Sequence, residues 1–239
     1  MNNFAFLLKG ELTRLVKYKI LQISFAVTIL WLLVIFLIGS EQASTFIPLF
    51  IFADAALMTI LLVGASLFYE KQENTLKTLM ITPASLAAII SSKVLSAIYL
   101  ALQSALIISL FAYFFFDVSI NFLWLILFVI VIAATHTAIG YTFAIFAKDF
   151  NGLIAQVGVY MILFAMPSIF FALGLFSDIF EVILMFSPTH TALLMIDYAF
   201  NVSIKPYLLV VGFIYLNLIT TILFILVVIP KYPETAVRD

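Results

Sequence analysis

The sequence predicts an all-α membrane protein with six transmembrane helices and with both termini in the cytoplasm. Hydrophobic residues make up 66% of the 239 positions and charged residues only 10%, whereas a soluble domain carries about 25% charged residues. A chain of this composition cannot cover a globule in water, so we expect lipid to be its solvent. The sequence has no cysteine, which excludes disulfides, iron–sulfur clusters and cysteine nucleophiles. The net charge of −1 and the lack of a nucleic-acid motif argue against a nucleic-acid partner.

Six apolar stretches are long enough to cross a bilayer. A helix needs about 20 apolar residues to cross about 30 Å of hydrocarbon. The third stretch is longer than this, which predicts tilt or extension beyond the membrane surface. The predicted spans are Ile20–Ile38, Ile47–Phe68, Leu86–Phe116, Phe122–Ala147, Leu153–Phe176 and Tyr207–Ile229.

The basic residues predict the orientation. With the N-terminus inside, the external segments hold only Lys205, and this asymmetry is the positive-inside signal of membrane proteins. The predicted cytoplasmic segments hold ten basic residues: Lys9, Arg14, Lys17, Lys19, Lys71, Lys77, Lys93, Lys148, Lys231 and Arg238.

Residues 1–18, before the first span, have the pattern of an interfacial helix. Leu8, Leu12 and Leu15 recur at helical spacing, while Lys9 and Lys17 fall on other faces. We expect this helix to lie along the cytoplasmic leaflet. It is either a basic anchor for the first span or a surface that also contacts a cytoplasmic partner.

The external segment 177–206 is long and strongly apolar. Asp178 and Glu181 resemble a helix start, and Ser187-Pro188 places Pro at a first helical turn. Two short helices are predicted, near Ile179–Phe186 and Thr189–Phe200. Neither is long enough to cross, so we expect both to lie on the outer leaflet or to dip into it. Residues 1–239 are predicted to form one membrane domain.

The cytoplasmic segment 70–83 joins the second and third spans. Leu76, Leu79 and Met80 give a short helix one apolar edge. Thr82-Pro83 predicts the N-cap and first turn of the next helix. A short helix with an apolar edge and a charged border suits docking into a groove on another protein.

This segment resembles the coupling segment of the ABC-2 type permeases. The matching pattern is Glu70-x-x-Glu73-x-Thr75-Leu76-x-x-Leu79-x-x-Thr82-Pro83-x-Ser85. Asn74 stands where the family usually has Gly, and Asn tolerates the left-handed backbone. The resemblance extends to the architecture of nearly the whole chain, with features similar to drug-exporter permeases, including the fluoroquinolone-export and bacteriocin-immunity groups.

The resemblance implies a permease subunit in a bacterial cell membrane. Members of the family form dimers, either homodimers or pairs with a related permease. They bind separate cytoplasmic ABC ATPase subunits and export drugs, peptides, lipids or polysaccharide. None of the eight Gly residues begins a phosphate-binding loop, so this chain is not expected to be an enzyme or to hold a cofactor. ATP and Mg belong to the partner.

The resemblance also implies roles for residues of the coupling segment. Leu76 and Leu79 are expected to fill the groove of the ATPase. Glu70 and Glu73 are expected to make charge-assisted contacts, either at the rim of that groove or with the interfacial helix. The push of the ATPase would then switch the permease between inward-open and outward-open arrangements.

Polar residues inside the spans are candidates for a pathway or a gate, because burying them in lipid is costly. Asp54 of the second span either meets exported cations or gates the outer vestibule, or it is a structural Asp. Gln103 of the third span serves helix packing or a substrate-facing wall. His136 is either a hydrogen-bonded packing residue or a proton-coupled group. Two distant histidines, His136 and His190, without cysteine do not predict a metal site.

The fifth span carries a second group of candidates. Gln156, Tyr160 and Pro167 lie roughly along one face, and Pro167 removes a backbone donor, which predicts a bend. This bend is either a local feature satisfied by neighbouring groups or a hinge that lines the export path.

The function predicted from the sequence is a membrane permease subunit of an ATP-driven ABC exporter. Its cargo is expected to be a small amphipathic drug, peptide or lipid-like molecule. An ion-coupled secondary transporter is the first alternative. A membrane-embedded enzyme is the second, although Asp54 and His136 are single and far apart in sequence.

Overall fold

A computed structural model describes residues 3–235, and this part of the chain consists of helices joined by short loops, without a β-strand. Arg238 and the first two residues of the predicted interfacial helix lie outside the described range. The α-helices are α1 (Asn3–Lys17), α2 (Ile20–Ile38), α3 (Ser40–Phe52), α4 (Thr59–Gln72), α5 (Thr75–Met80), α6 (Leu86–Phe116), α7 (Phe122–Phe146), α8 (Phe150–Tyr160), α9 (Met166–Ala172), α10 (Glu181–Leu184), α11 (Pro188–Ala199), α12 (Pro206–Leu223) and α13 (Ile229–Thr235).

The prediction of six spans is confirmed. Within residues 3–235, six helical segments are long and apolar enough to cross a membrane. The first and third spans have the predicted bounds, Ile20–Ile38 and Leu86–Phe116. The second and sixth continue further toward the basic residues, to Gln72 and Thr235. Hydropathy marks only the apolar part of a helix, whereas the backbone continues until a cap or turn ends it.

The fifth span begins at Phe150 and ends at Ala172, earlier than the predicted Phe176, because a glycine terminates its last helix. Gly174 has a φ of +72°, which lies in the left-handed region. Its N–H bonds the carbonyl of Phe171 at 2.9 Å, and the N–H of Leu175 bonds that of Phe170 at 2.9 Å. This pair of bonds is the Schellman ending, so the helix stops at Ala172 and not at Phe176.

Three spans contain a stretch of π-helix, a feature that the sequence analysis did not predict. The stretches are Ala53–Met58, Met161–Ala165 and Phe224–Val228. The first contains Asp54, and the second ends just before Pro167. The bend predicted at Pro167 therefore coincides with a change of helix type, and π stretches are frequent at functional sites.

We call the end of the bundle that holds α1, α5 and residues 147–149 the basic end. Here α1 packs along α6 and α2, with Leu15 buried while Phe6 and Val16 are exposed. The helix is thus amphipathic, as predicted, with one apolar edge on the bundle and another left for lipid.

The opposite end is closed by α10 and α11. The predicted helix start at Ser187-Pro188 is confirmed, because Ser187 is the N-cap of α11 and its Oγ accepts from the N–H of His190 at 3.4 Å. Helix α11 is almost wholly buried against α7, α12 and α3, since its apolar residues occur on all faces and not on one. The expectation that it lies on the outer leaflet or dips into it stays a prediction.

Candidate coupling site

The candidate coupling site lies at the basic end, where α1, the end of α4, α5 and the start of α6 meet. Two turns position α5 at this point. Asn74, which precedes it, has a φ of 55°, in agreement with the expectation that Asn here takes the left-handed backbone. After α5, the Oγ1 of Thr82 donates to the carbonyl of Leu79 at 2.7 Å, so the chain turns before α6 begins.

The cap of the third span differs from the prediction. Thr82-Pro83 was expected to begin the helix, but α6 begins at Leu86 and its N-cap is Ser85, whose Oγ accepts from the N–H of Ala88 at 3.2 Å. Thr82 is occupied by its bond to α5, and Pro83 is exposed in the turn. Ser85 is a strong N-cap in its own right.

A buried ion network joins α1, α4 and α6. The Nζ of Lys93 donates to both Glu70 and Glu11, and it lies 3.0 Å from Glu11 Oε1. Arg14 bonds the same Glu11 carboxylate. The side chains of Glu11, Glu70 and Lys93 are all at least 96% buried. Two basic and two acidic groups balance in charge, which is the condition for holding ions in a protein interior.

Burial has a visible electrostatic effect at Glu11. It raises the pKa of the Glu11 carboxyl, against the attraction of Lys93, and the neighbouring Glu70 carboxylate adds to the increase. The ionised form of Glu11 therefore depends on Lys93 and Arg14 for its stabilisation.

A second, exposed contact fastens the start of α5. Glu73 Oε2 accepts from Lys17 Nζ at 2.6 Å and from the hydroxyl of Tyr18 at 3.0 Å. These hydrogen bonds, that of Lys17 first, lower the pKa of the Glu73 carboxyl. Tyr18 also stacks on Tyr69, with ring centres 5.2 Å apart, and Thr75 in the first turn of α5 lies beside its hydroxyl.

Leu76 and Leu79 do not face outward. They are 1% and 9% exposed and belong to the protein's own hydrophobic core. This corrects the expectation that they fill a groove on a partner, because their side chains are already packed inside this protein. The exposed edge of α5 and its following turn consists instead of Lys77, Thr78 and Ile81, and Ile81 is 86% exposed.

The two acidic residues contact the protein's own N-terminal region. Of the two alternatives for Glu70 and Glu73, the described residues show contact with the interfacial helix. Glu73 contacts it directly, through Lys17. Glu70 contacts it indirectly, through Lys93, which also bonds Glu11.

Sequence reasoning missed Glu11 as a site residue and treated Arg14 and Lys93 only as markers of orientation. A signal was present. Glu11 lies four residues from both Leu7 and Leu15, on the apolar edge of α1, and Lys93 lies two turns inside an apolar span. A charge within an apolar stripe indicates a buried partner of opposite charge.

The pathway candidates lie deeper in the bundle. Asp54 is 5% exposed in the first π stretch, beside Ser104 of α6 and Trp31 of α2. The side-chain amide of Gln103 is buried without a hydrogen-bond partner among the described residues. Gln156 and Pro167 are half-buried.

His136 and Tyr160 are brought together. The Nδ1–H of His136 donates to the carbonyl of Ile132 at 2.8 Å, which leaves Nε2 to accept from the hydroxyl of Tyr160 at 3.2 Å. Both side chains are buried. This is the geometry of a hydrogen-bonded packing pair between the fourth and fifth spans, and a role in transport stays a prediction.

The fold and this site define a multi-pass membrane protein. Its short helix α5 is held by ion pairs near its start and is exposed along one edge. A family model for the ABC-2 type transporters matches residues 2–200, so the chain belongs to that family. It is thus a membrane permease component of an ABC transporter, a kind of protein that pairs with an ABC ATPase subunit and is not itself the ATPase. No curated protein and no solved structure matches the chain.

Proposed function

We propose that the chain is the permease subunit of an ATP-driven exporter, with its basic end in the cytoplasm, and that it works as a dimer with two ATPase subunits. The observation that carries the proposal is that α5 and its following turn expose one edge, which includes Ile81, while Leu76 and Leu79 on the other side are buried. An isoleucine that is 86% exposed next to a lysine and a threonine suits a partner's groove, because burying its apolar side chain on docking is favourable.

The base of this edge supports a mechanical role. Leu76 and Leu79 join it to the core, and Glu70 joins it through Lys93 to α1. A push on the edge would therefore displace α1, α4 and the start of α6 together. Such a rigid-body displacement can switch a permease between inward-open and outward-open states.

The cargo that we propose is a small amphipathic drug, peptide or lipid-like molecule. Support comes from the composition of the interior, which is rich in aromatic side chains and holds few charges. Edge-on ring pairs such as His136–Tyr160 and Phe143–Tyr160 line the contact between the fourth and fifth spans. Apolar and aromatic surfaces of this kind bind amphipathic ligands.

The test uses Ile81→Asp, with the ATPase subunit co-expressed. We expect the variant to lose co-purification and permease-stimulated ATP hydrolysis by about tenfold or more, the effect of losing an interface anchor. Ile179→Asp is the matched control, since Ile179 is 79% exposed at the opposite end. Normal stimulation in Ile81→Asp, or an equal loss in both variants, would refute docking at this edge.

The alternative expected from the sequence, an ion-coupled secondary transporter, does not agree with membership of the ABC-2 family. Transport in proteoliposomes tests the energy source directly. The exporter stops when ATP is withheld and continues when an ion gradient is dissipated.

A further inference from the structure

The sixth span enters the interior of the bundle only near the basic end. Much of its length is exposed, and Leu226 is an example at 66%. Helix α13, which ends the span, packs instead against α6 and α7, and its Tyr232 is 0% exposed. A tyrosine carries a polar hydroxyl, so its complete burial at this point indicates a polar partner in the interior.

The third π stretch, Phe224–Val228, keeps one side of the sixth span buried. Leu216 before this stretch and Val228 at its end are both fully buried. A regular α-helix between them would place Val228 about 120° around the axis from Leu216. A π turn holds an extra residue for nearly the same rotation, which reduces this angle to about 20°. Tyr232 lies one turn further along, on the same buried side.

Tyr232 lies beside the ion network of the coupling site. Its ring packs edge-on against that of Tyr141 of α7, with ring centres 6.1 Å apart. Among the charged groups, Glu70 acts most strongly on the Tyr232 hydroxyl, and Glu11 and Arg14 act on it as well. The hydroxyl is therefore close enough to the network for its charges to be felt in the protein interior.

Three buried polar atoms of this region have no hydrogen-bond partner among the described residues. They are the Tyr232 hydroxyl, Glu70 Oε2 and Arg14 Nε. Their capacities are complementary, because Arg14 Nε donates, Glu70 Oε2 accepts and the hydroxyl does either. Buried waters make about three hydrogen bonds, typically to polar atoms that are otherwise unpaired. One water would satisfy all three atoms.

We propose that Tyr232 is a positioning residue of the coupling site, joined to Glu70 Oε2 through a buried water that also accepts from Arg14 Nε. The contact would fix the basic end of the sixth span to the network that already joins α1, α4 and α6. The inference concerns the folded protein alone and does not depend on the proposed export function.

A double-mutant cycle tests the contact, with equilibrium unfolding in mixed detergent micelles as the measurement. We expect Tyr232→Phe to raise the unfolding equilibrium constant roughly tenfold, as expected for a lost hydrogen bond in a charged network. In a Glu70→Gln background, whose neutral oxygen is a weaker acceptor, the increase should be only about threefold. Tyr215→Phe is the matched control. The Tyr215 hydroxyl donates to the carbonyl of Phe186 at the opposite end of the same span, so its effect should be equal in both backgrounds.

A distance measurement tests whether the contact positions the span. The chain has no cysteine, so cysteines introduced at the exposed Thr78 of α5 and Ile229 of α13 take spin labels specifically. We expect a narrow distance distribution by electron paramagnetic resonance, a broader one in Tyr232→Phe and an unchanged one in Tyr215→Phe. A lower stability alone would not broaden the distribution of the folded protein.

Three results would overturn the inference. A Tyr232→Phe variant as stable as the wild type, or more stable, would show that the hydroxyl has no partner, and this comparison does not require Glu70→Gln to fold. An equal effect of Tyr232→Phe in both backgrounds would show that the partner is not Glu70. A narrow distance distribution in Tyr232→Phe would show that the contact does not position the span.

Discussion

Replacement of Lys93 by Met tests the ion network that fastens the coupling site. Lys93 lies between Glu11 and Glu70, and the three side chains are 2%, 4% and 0% exposed. Without the lysine, Glu11 keeps Arg14, but Glu70 loses the one ion pair that the described residues give it. Its Oε2 already has no hydrogen-bond partner among them. Removing one partner from a buried pair costs about 3–5 kcal/mol, and we expect a loss of this size.

The exposed pair between Lys17 and Glu73 provides the internal comparison. Its N–O distance is 2.6 Å, and its side chains are 59% and 39% exposed. Water screens exposed charges, so a pair of this kind adds little to stability. We therefore expect Lys17→Met to leave the stability close to that of the wild type. Burial decides which pair holds the site together.

Equilibrium unfolding of the purified protein in mixed detergent micelles measures both losses. Lys93→Met combined with Glu70→Gln leaves Glu11 paired with Arg14 and no unpaired carboxylate, so it should recover much of the stability. A Lys93→Met variant within about 1 kcal/mol of the wild type would show that water reaches the network. A double variant less stable than the single one would contradict the reasoning equally.

Three further predictions follow from particular positions. A Cβ on Gly140 would lie 3.0 Å from the carbonyl oxygen of Ile60, whereas one on Gly158 would meet nothing within 4 Å. Gly140→Ala should therefore lower the free energy of unfolding by about 1–3 kcal/mol, and Gly158→Ala should not lower it. Thermal unfolding measures both. Asn74 has a φ of 55°, so Asn74→Gly should keep the melting temperature and Asn74→Ile should lower it, at a cost of about 1–2 kcal/mol. Burial raises the pKa of Asp197 from 3.8 to about 7, so the folded protein favours the protonated form of this carboxyl. The contribution of Asp197 to stability is therefore complete below pH 3.8 and is lost as the pH rises through about 7. The melting temperature should therefore fall between about pH 4 and pH 7, and Asp197→Asn should flatten that fall.

The spans were predictable because lipid imposes a strong constraint on sequence. Leu86–Phe116 was predicted to the residue because polar Ser85 and Asp117 bound a stretch that is apolar on balance, although it contains Lys93 and Gln103. The end of the fifth span was missed because Phe176 is apolar and hydropathy does not report the left-handed turn at Gly174. The π stretches were missed for a related reason, since one extra residue in a turn changes backbone hydrogen bonding and not composition.

The coupling site was predictable as a segment but not as a set of contacts. An apolar edge on a short helix shows that Leu76 and Leu79 pack against something, but not whether that surface belongs to the same chain. The pairing of Lys93 with Glu11 spans 82 positions, and single-sequence periodicity reports only neighbours along a helix. Charge within an apolar stripe was the available signal, and it identifies a residue that needs a partner without identifying the partner.

The contrast between the two kinds of ion pair bears on how force would pass through the proposed exporter. A partner that pushes on Ile81 acts on α5, whose leucines lie in the core and whose neighbour Glu70 is held by Lys93. The buried network is costly to break, so α1, α4 and the start of α6 would move as one body. The exposed contact between Glu73 and Lys17 can break and form again at little cost. Any change of angle between α5 and α1 during the transport cycle is therefore expected at Glu73, while the buried ions transmit the displacement to the spans.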